Sequence, residues 1–364
     1  MDSKKYNNIK LGIGITKTVV TFIIILLFVS LGYSQQLYNI LQNYSESQYL
    51  ILLFYVIVFG FAMSVIFFPV NFYTDFILEH KYKLSNQTFF AWIWEGLKGT
   101  LVGGVIGLPI LLLFYYVLES YGNLWWLPFA ILMFIISVIL SKIVPIIILP
   151  LFYKVTPIED EDLKQRIYKL SENVKLKIEN IFQFDMSKNT KKANAAFTGL
   201  GKTKKILLGD TLLTEFNNDE IETVIAHELG HYKHKHIIIN IAISTVTSFL
   251  TFYLLSVLYS NSLNWFGFSS ITEIAALPIL SLWGMILGLV QTPLTNILSR
   301  KHEYQADEYA VKSTNKKDVF VSTLTKLTEK NLGDENPHPF VEWFFYSHPS
   351  IKNRVAHINN LNIN

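Results

Sequence analysis

Two histidines, His227 and His231, stand four residues apart and enclose a glutamate, Glu228. Residues at this spacing share one face of a helix. Both imidazoles can therefore bind one Zn²⁺, with Glu228 beside a metal-bound water as general base. An apolar run begins only a few residues later, at Ile237. The motif thus predicts a hydrolytic metal site next to a membrane.

A catalytic zinc needs three protein ligands and one open position for water. Glu303 and Asp307 supply two carboxylates four residues apart, just after the last apolar run. One of them can bind the metal while the other accepts a hydrogen bond from a ligating imidazole. We assign Glu303 to the metal and Asp307 to that hydrogen bond. The alternative for this pair is a solvated acidic face near Arg300.

Two further histidines, His234 and His236, follow the motif closely. A metzincin-type site would need its third histidine ten residues after His227, where Ile237 stands. We therefore expect His234 to be exposed and neither histidine to bind the metal.

The composition is that of an integral membrane protein, because 51% of the residues are hydrophobic and only 16% are charged. Six runs are long and apolar enough to cross a bilayer. They are residues 18–33, 50–70, 100–119, 124–150, 237–260 and 273–298. The first could also be a secretory signal, but we expect an uncleaved anchor.

A net charge of +3 argues against nucleic acid as a partner, and the lack of cysteine excludes disulfides and thiolate ligands.

Lysine and arginine fall in every second connection between these runs. The connections 34–49, 120–123 and 261–272 contain neither residue type. The positive-inside rule then places both chain ends and the metal motif on the cytoplasmic side.

Four segments follow from this pattern. They are membrane helices over 1–153, a polar insertion over 154–236, two further membrane helices over 237–298, and a helical C-terminal part over 299–364 that completes the zinc site. Within the insertion, the patterns predict a helix over 160–176 and strands over 178–185, 193–197 and 205–208. Asn217 and Glu220 resemble a capping box that opens the motif helix, and this helix is expected to continue unbroken into the fifth span.

The lysines 188, 191, 192, 202, 204 and 205 could attract anionic lipid or a substrate carboxylate, although a solvated basic surface is favoured.

The two metal motifs, His227–His231 and Glu303 with Ala306-Asp307, resemble those of the type I CAAX prenyl proteases, which are integral-membrane zinc endopeptidases. Other matching stretches occur in the family's order between about residues 60 and 358. They are 68–69, 76–79, 86–88, 149–152, 194–200, 205–213 and 346–354.

The resemblance implies one Zn²⁺ per chain, bound by His227, His231 and Glu303, with Glu228 activating water. The fold would be mainly α, a polytopic membrane protein with a zincin-like α+β metalloprotease domain that faces the cytoplasm.

The resemblance also implies a substrate site. Asn194 and Ala195 would belong to an edge strand that pairs with the substrate backbone. His348 would stabilise the oxyanion, and Arg354 would support the site by hydrogen bonding. From the residues alone, His348 is only part of a His-Pro turn.

Departures from the family concern the membrane part and the substrate contacts. Eukaryotic members usually have seven spans, and six are expected here. Ala196 stands where an aromatic residue is common, which leaves substrate preference open.

The expected function is hydrolysis of peptide or protein substrates, most simply prenylated CAAX proteins. The alternatives are a bacterial membrane quality-control protease and a non-proteolytic membrane protein with a structural zinc. A bacterial inner membrane is favoured, with the endoplasmic reticulum as the alternative.

Overall fold

The computed structural model describes residues 3–198 and 203–361. Within these residues, six helical segments are long and apolar enough to cross a membrane. They are Ser3–Ser30, Gln48–Lys81, Phe89–Leu124, Trp126–Phe152, His236–Phe266 and Ile274–Thr314. The six predicted spans are confirmed, and the helices extend beyond most of the apolar runs because their polar ends continue as helix.

The described N-terminal part contains, besides short π- and 3-10-helical segments, seven α-helices. They are α1 (Ser3–Ser30), α2 (Tyr33–Gln42), α3 (Gln48–Asn71), α4 (Leu78–Lys81), α5 (Phe89–Tyr121), α6 (Trp126–Ile143) and α7 (Leu149–Phe152). Large apolar side chains such as Phe61 and Val105 remain exposed on them. In the most apolar stretch of Trp126–Phe152 no residue is buried. Such surfaces suit lipid, which is as apolar as these side chains.

The polar insertion folds into a small sheet flanked by helices. Its elements are β1 (Val155–Pro157), α8 (Glu161–Glu172), β2 (Lys177–Phe184), β3 (Ala195–Thr198), β4 (Thr203–Gly209), α9 (Asp210–Glu215) and α10 (Asn218–Lys233). The strand order is β1-β2-β4-β3, with β2 and β4 parallel and each edge strand antiparallel to its neighbour. The predicted helix and three strands are confirmed with shifted ends, and among the described residues β3 has a free edge.

Helix α10 begins with the predicted capping box. The Asn217 side chain accepts the Glu220 N–H, and the Glu220 carboxylate accepts the Asn217 N–H. The prediction that this helix continues unbroken into the fifth span is wrong, because Lys235 adopts a left-handed conformation with a φ of 59°. A left-handed residue ends a helix, so α10 stops at Lys233 and a new helix starts at His236.

The remaining elements are α11 (His236–Ser262), α12 (Pro278–Thr314), α13 (Lys317–Lys330), α14 (Pro339–Phe345) and α15 (Ile351–Asn359). The first part of α12 is the sixth span, and its last turns pack closely against α10. A Cβ at Gly230 of α10 would lie 2.8 Å from Cα of Ala306 in α12. The core around this contact comprises buried apolar residues of α8, β2, β4, α10, α12 and α13. At the start of α1, Asn7 donates a hydrogen bond to the Leu332 carbonyl, which joins the membrane part to the polar part.

Candidate metal centre

Three side chains from α10 and α12 converge on one point. Nε2 of His227 and Nε2 of His231 are 3.2 Å apart, and each lies 3.4 Å from an oxygen of Glu303. A zinc ion with bonds of about 2.0–2.1 Å and tetrahedral angles spaces its ligand atoms about 3.3 Å apart. Two imidazoles, one carboxylate and this spacing therefore fit a tetrahedral zinc that keeps a fourth position for water.

A buried ion pair supports His227. Nδ1 of His227 lies 2.9 Å from Oδ1 of Asp307, and Arg354 donates to both oxygens of that carboxylate at 2.5 and 2.9 Å. Burial alone would lower the pKa of His227, but the hydrogen bonds to Asp307 and Glu303 raise it to about 9. The second nitrogen of a metal-binding histidine is usually held in this way, so Asp307 aims Nε2 at the metal position.

Neutral groups support His231. Its Nδ1 lies 3.0 Å from Nδ1 of His236, and Nε2 of His236 lies 2.9 Å from Oε1 of Gln305. When His231 binds a metal through Nε2, its Nδ1 carries the proton and donates to His236, which in turn donates to Gln305. The ring of His302 stacks on His236 with centroids 3.9 Å apart and fixes its plane.

The roles of His236 and Gln305 were not predicted from the sequence. On a continuous helix, His236 would point about 140° away from His231. The break at Lys235 instead turns His236 back toward His231, a candidate metal ligand. No local pattern predicts this break, because Lys has no preference for the left-handed conformation.

His348 lies on the segment between α14 and α15. Its Nε2 is 3.5 Å from Oε1 of Glu303, and its side chain is 65% exposed. Arg300 donates to the carbonyls of Glu342 and Tyr346, which fastens this segment to α12. His348 therefore reaches the cluster with most of its side chain exposed.

A cleft of about 780 Å³ contains the cluster. Glu228, which is half-buried, and His348 line it beside the three candidate ligands. The edge strand borders one side through Ala193, Asn194, Ala195 and Phe197, and Ile237 and Asn240 border it where the fifth span begins. All nine predicted site residues thus line this cleft or, in the case of Asp307, support a ligand from behind.

The free edge of β3 presents backbone groups to the cleft. The Gly209 N–H donates to the Asn194 carbonyl, and Ala196 lies opposite Leu207. Since hydrogen-bonded pairs alternate in an antiparallel ladder, Ala195 and Phe197 direct their N–H and C=O groups to the open edge.

Two predictions about residues near the cluster, one for His234 and one for the lysines, have different outcomes. His234 is exposed, as expected. Lys204 is only 5% exposed and lines the cleft, so a solvated surface is wrong for this lysine, and burial lowers its pKa. Lys202 lies outside the described residues.

Two family models match the chain. The one described as "CAAX prenyl protease N-terminal, five membrane helices" matches residues 1–154, and peptidase family M48 matches residues 157–362. The described part of residues 1–154 contains four helices long and apolar enough to cross a membrane.

Similar proteins come from yeast and bacteria. CAAX prenyl protease 1 of Saccharomyces cerevisiae is 34% identical over 308 residues, which cover 79% of this chain and 67% of the relative. The uncharacterized metalloprotease YhfN of Bacillus subtilis is 31% identical over 310 residues, or 82% of this chain and 72% of the relative.

A solved structure shows that the likeness extends to the fold. The crystal structure of S. mikatae Ste24p superposes with a TM-score of 0.88 at 28% identity, covering 98% of this chain and 88% of the other. The helix that carries His227 and His231, the membrane helices and these matches all indicate the same family. The chain belongs to peptidase family M48 and is an integral-membrane metalloendopeptidase that acts on peptide or protein substrates.

Proposed function

We propose that this protein hydrolyses peptide bonds with one zinc ion, bound by His227, His231 and Glu303. The observation that carries the proposal is the spacing of 3.2 to 3.4 Å among their ligand atoms, which matches a tetrahedral zinc. Zinc held there would polarise the scissile carbonyl and acidify the attacking water.

Glu228 is the general base. It lies next to His227 on the cleft side of α10, so its carboxylate takes a proton from the water that attacks the carbonyl carbon. As the C–N bond breaks, Glu228 passes this proton to the leaving amine nitrogen, which gives a free carboxylate and a free amine.

His348 and Arg354 assist in different ways. Nε2 of His348 donates a hydrogen bond to the carbonyl oxygen as negative charge develops there. Arg354 remains charged beside Asp307 and acts through that carboxylate, since it holds His227 in place.

The substrate backbone adds a strand to the free edge of β3, beside Asn194 and Ala195. Backbone hydrogen bonds to an exposed edge hold an extended peptide whatever its side chains. The cleft continues to Asn240 at the start of the fifth span, so an apolar group on the substrate can remain near the membrane.

The substrates we propose are prenylated proteins of the CAAX type, since several relatives are named CAAX prenyl protease 1. We place both chain ends and the active site in the cytoplasm, because lysine and arginine occupy alternate connections. We favour a bacterial inner membrane over the endoplasmic reticulum, and one of the similar proteins is bacterial.

The first test replaces the base. Glu228→Gln keeps the shape of the side chain but removes its basicity, so kcat should fall about 10²- to 10⁴-fold with one zinc still bound. Glu222→Gln is the matched control, because Glu222 lies on the same helix but pairs with Lys316 and Arg166 instead of lining the cleft. Unchanged turnover in Glu228→Gln would overturn the mechanism.

The second test defines the substrate class. Purified wild-type protein is given matched farnesylated and unmodified CAAX peptides, and bound zinc is quantified. Cleavage of the farnesylated peptide alone supports prenyl-protein processing. Equal cleavage of both peptides would instead indicate a general membrane quality-control protease.

A further inference from the structure

One residue outside β3 occupies part of its open edge. The backbone groups that face away from β4 belong to alternate residues, Ala195 and Phe197. The same alternation assigns Ala193 to this edge, one step before Ala195. The groups of Ala193, however, are already bonded.

The bonding partner is the side-chain amide of Asn331, which follows α13. Its Oδ1 accepts the Ala193 N–H at 2.9 Å, and its Nδ2 donates to the Ala193 carbonyl at 3.2 Å. An amide carries one acceptor and one donor side by side, like the backbone of a paired residue. Asn331 therefore takes the place that the next residue of an added strand would fill.

The contact lies inside the cleft, since Ala193 and Asn331 both line it together with Ala195 and Phe197. A second cavity of about 370 Å³ adjoins it and shares Thr328, Gly333 and His348 with it. A chain that leaves the strand edge at Asn331 therefore has space to continue there.

We propose that Asn331 ends the substrate-pairing edge and so limits how many residues C-terminal to the cleaved bond can bind as a strand. A substrate antiparallel to β3, as β4 is, runs from Phe197 toward Ala193, and its C-terminal side meets Asn331. The inference rests on the proposed peptidase function and makes Asn331 a determinant of the preferred length of the released peptide.

The test is a ladder of peptides with one common N-terminal segment and C-terminal tails of about one to eight residues. For the wild type, kcat/KM rises with tail length only up to a break, beyond which added residues gain no backbone hydrogen bonds. Asn331→Ala frees the backbone N–H and C=O of Ala193 for pairing with the substrate. The break should therefore occur at a tail about two residues longer, because residues that face one edge of a strand are two apart. Two new hydrogen bonds should raise kcat/KM for the longer tails about tenfold.

Asn218→Ala is the matched control, because the Asn218 amide binds Asp160 and Asp162 at the surface. Its break should coincide with that of the wild type. Asn331→Asp keeps the acceptor for the Ala193 N–H but loses the donor to the Ala193 carbonyl, so its break should move less than that of Asn331→Ala. Thermal unfolding of both variants separates the edge effect from a loss of folding.

Two results would overturn the inference. They are a break at the same tail length in Asn331→Ala and a steady rise of kcat/KM across the whole ladder in the wild type. Both leave the peptidase function intact. A wild type that binds zinc but cleaves no peptide of the ladder would overturn the proposed function itself.

Discussion

The two histidines of the metal cluster are supported by opposite kinds of chemistry. Behind His227 lies a buried ion pair, Asp307 with Arg354. Behind His231 lies a neutral chain formed by His236 and Gln305. His227 is thus oriented by charged groups, and His231 is oriented by an imidazole and an amide.

The location of each support explains the difference. His236 is the first residue of the fifth apolar helix and is only 2% exposed, so a charge there would be costly. Arg354 comes from α15 in the polar part and brings a positive charge to Asp307. A polar network at a membrane boundary can orient a ligand without carrying charge, whereas the ion pair also sets the proton affinity of its histidine.

The largest effect should come from breaking the charged support. Asp307→Ala leaves Arg354 buried without its partner, so unfolding free energy should fall by about 3–5 kcal/mol. Zinc affinity should fall about 100-fold. Thermal unfolding and competition with a chelator measure the two losses.

Glu308→Ala is the matched control, since this neighbouring carboxylate pairs with His357 at the partly exposed surface. It should change either quantity little. Wild-type zinc affinity in Asp307→Ala would show that the ion pair does not orient His227.

Breaking the neutral support should have a smaller effect. His236→Leu removes the acceptor for His231 but leaves no charge unpaired, so zinc affinity should fall about tenfold with little loss of stability. His236→Gln supplies a new acceptor and should recover part of the affinity. A loss as large as that of Asp307→Ala would remove the distinction between the two sides.

The smallest expected effect is on the pH dependence of zinc affinity. In the zinc-free protein the pKa of His227 is about 9, above the usual 6.5, so a proton must leave when zinc binds. Zinc affinity should therefore fall about tenfold for each pH unit below 9. The same raised pKa stabilises the zinc-free fold below pH 6.5, and this contribution is lost as the pH rises through 9.

The difference between the supports of His227 and His231 predicts which variant changes the slope of zinc affinity against pH. Asp307→Asn removes the anionic acceptor and lowers the pKa of His227, so zinc affinity should depend less on pH between about 7 and 9. His236→Leu should keep the wild-type slope. Chelator competition at several pH values measures both, and equal slopes in wild type and Asp307→Asn would contradict the assignment.

The features with a local signature were predictable from the sequence. Apolar runs predicted the six spans, and the four-residue spacing placed His227 and His231 together. The roles of Glu303 and Asp307 were predictable because a zinc bound by His227 and His231 needs a third protein ligand. The family resemblance predicted His348 and Arg354, whose own surroundings carry no signal.

The features that depend on distant contacts were not predictable. His236 reaches His231 only because Lys235 breaks the helix. Asn331 meets Ala193 only after the chain has crossed the membrane twice and returned. Strand β1 has three residues, too few for an alternating pattern to appear.

The close approach at Gly230 has a consequence for how mutations reach the metal. A methyl group there would lie 2.8 Å from Cα and 3.0 Å from the carbonyl oxygen of Ala306, and backbone atoms cannot yield as a flexible side chain does. Helices α10 and α12 would have to separate, which would carry His227 away from Glu303 although both residues are unchanged. The spacing of the proposed metal ligands is therefore controlled by side-chain volume at Gly230, which is not itself a ligand. A search for inactivating variants should include such volume changes.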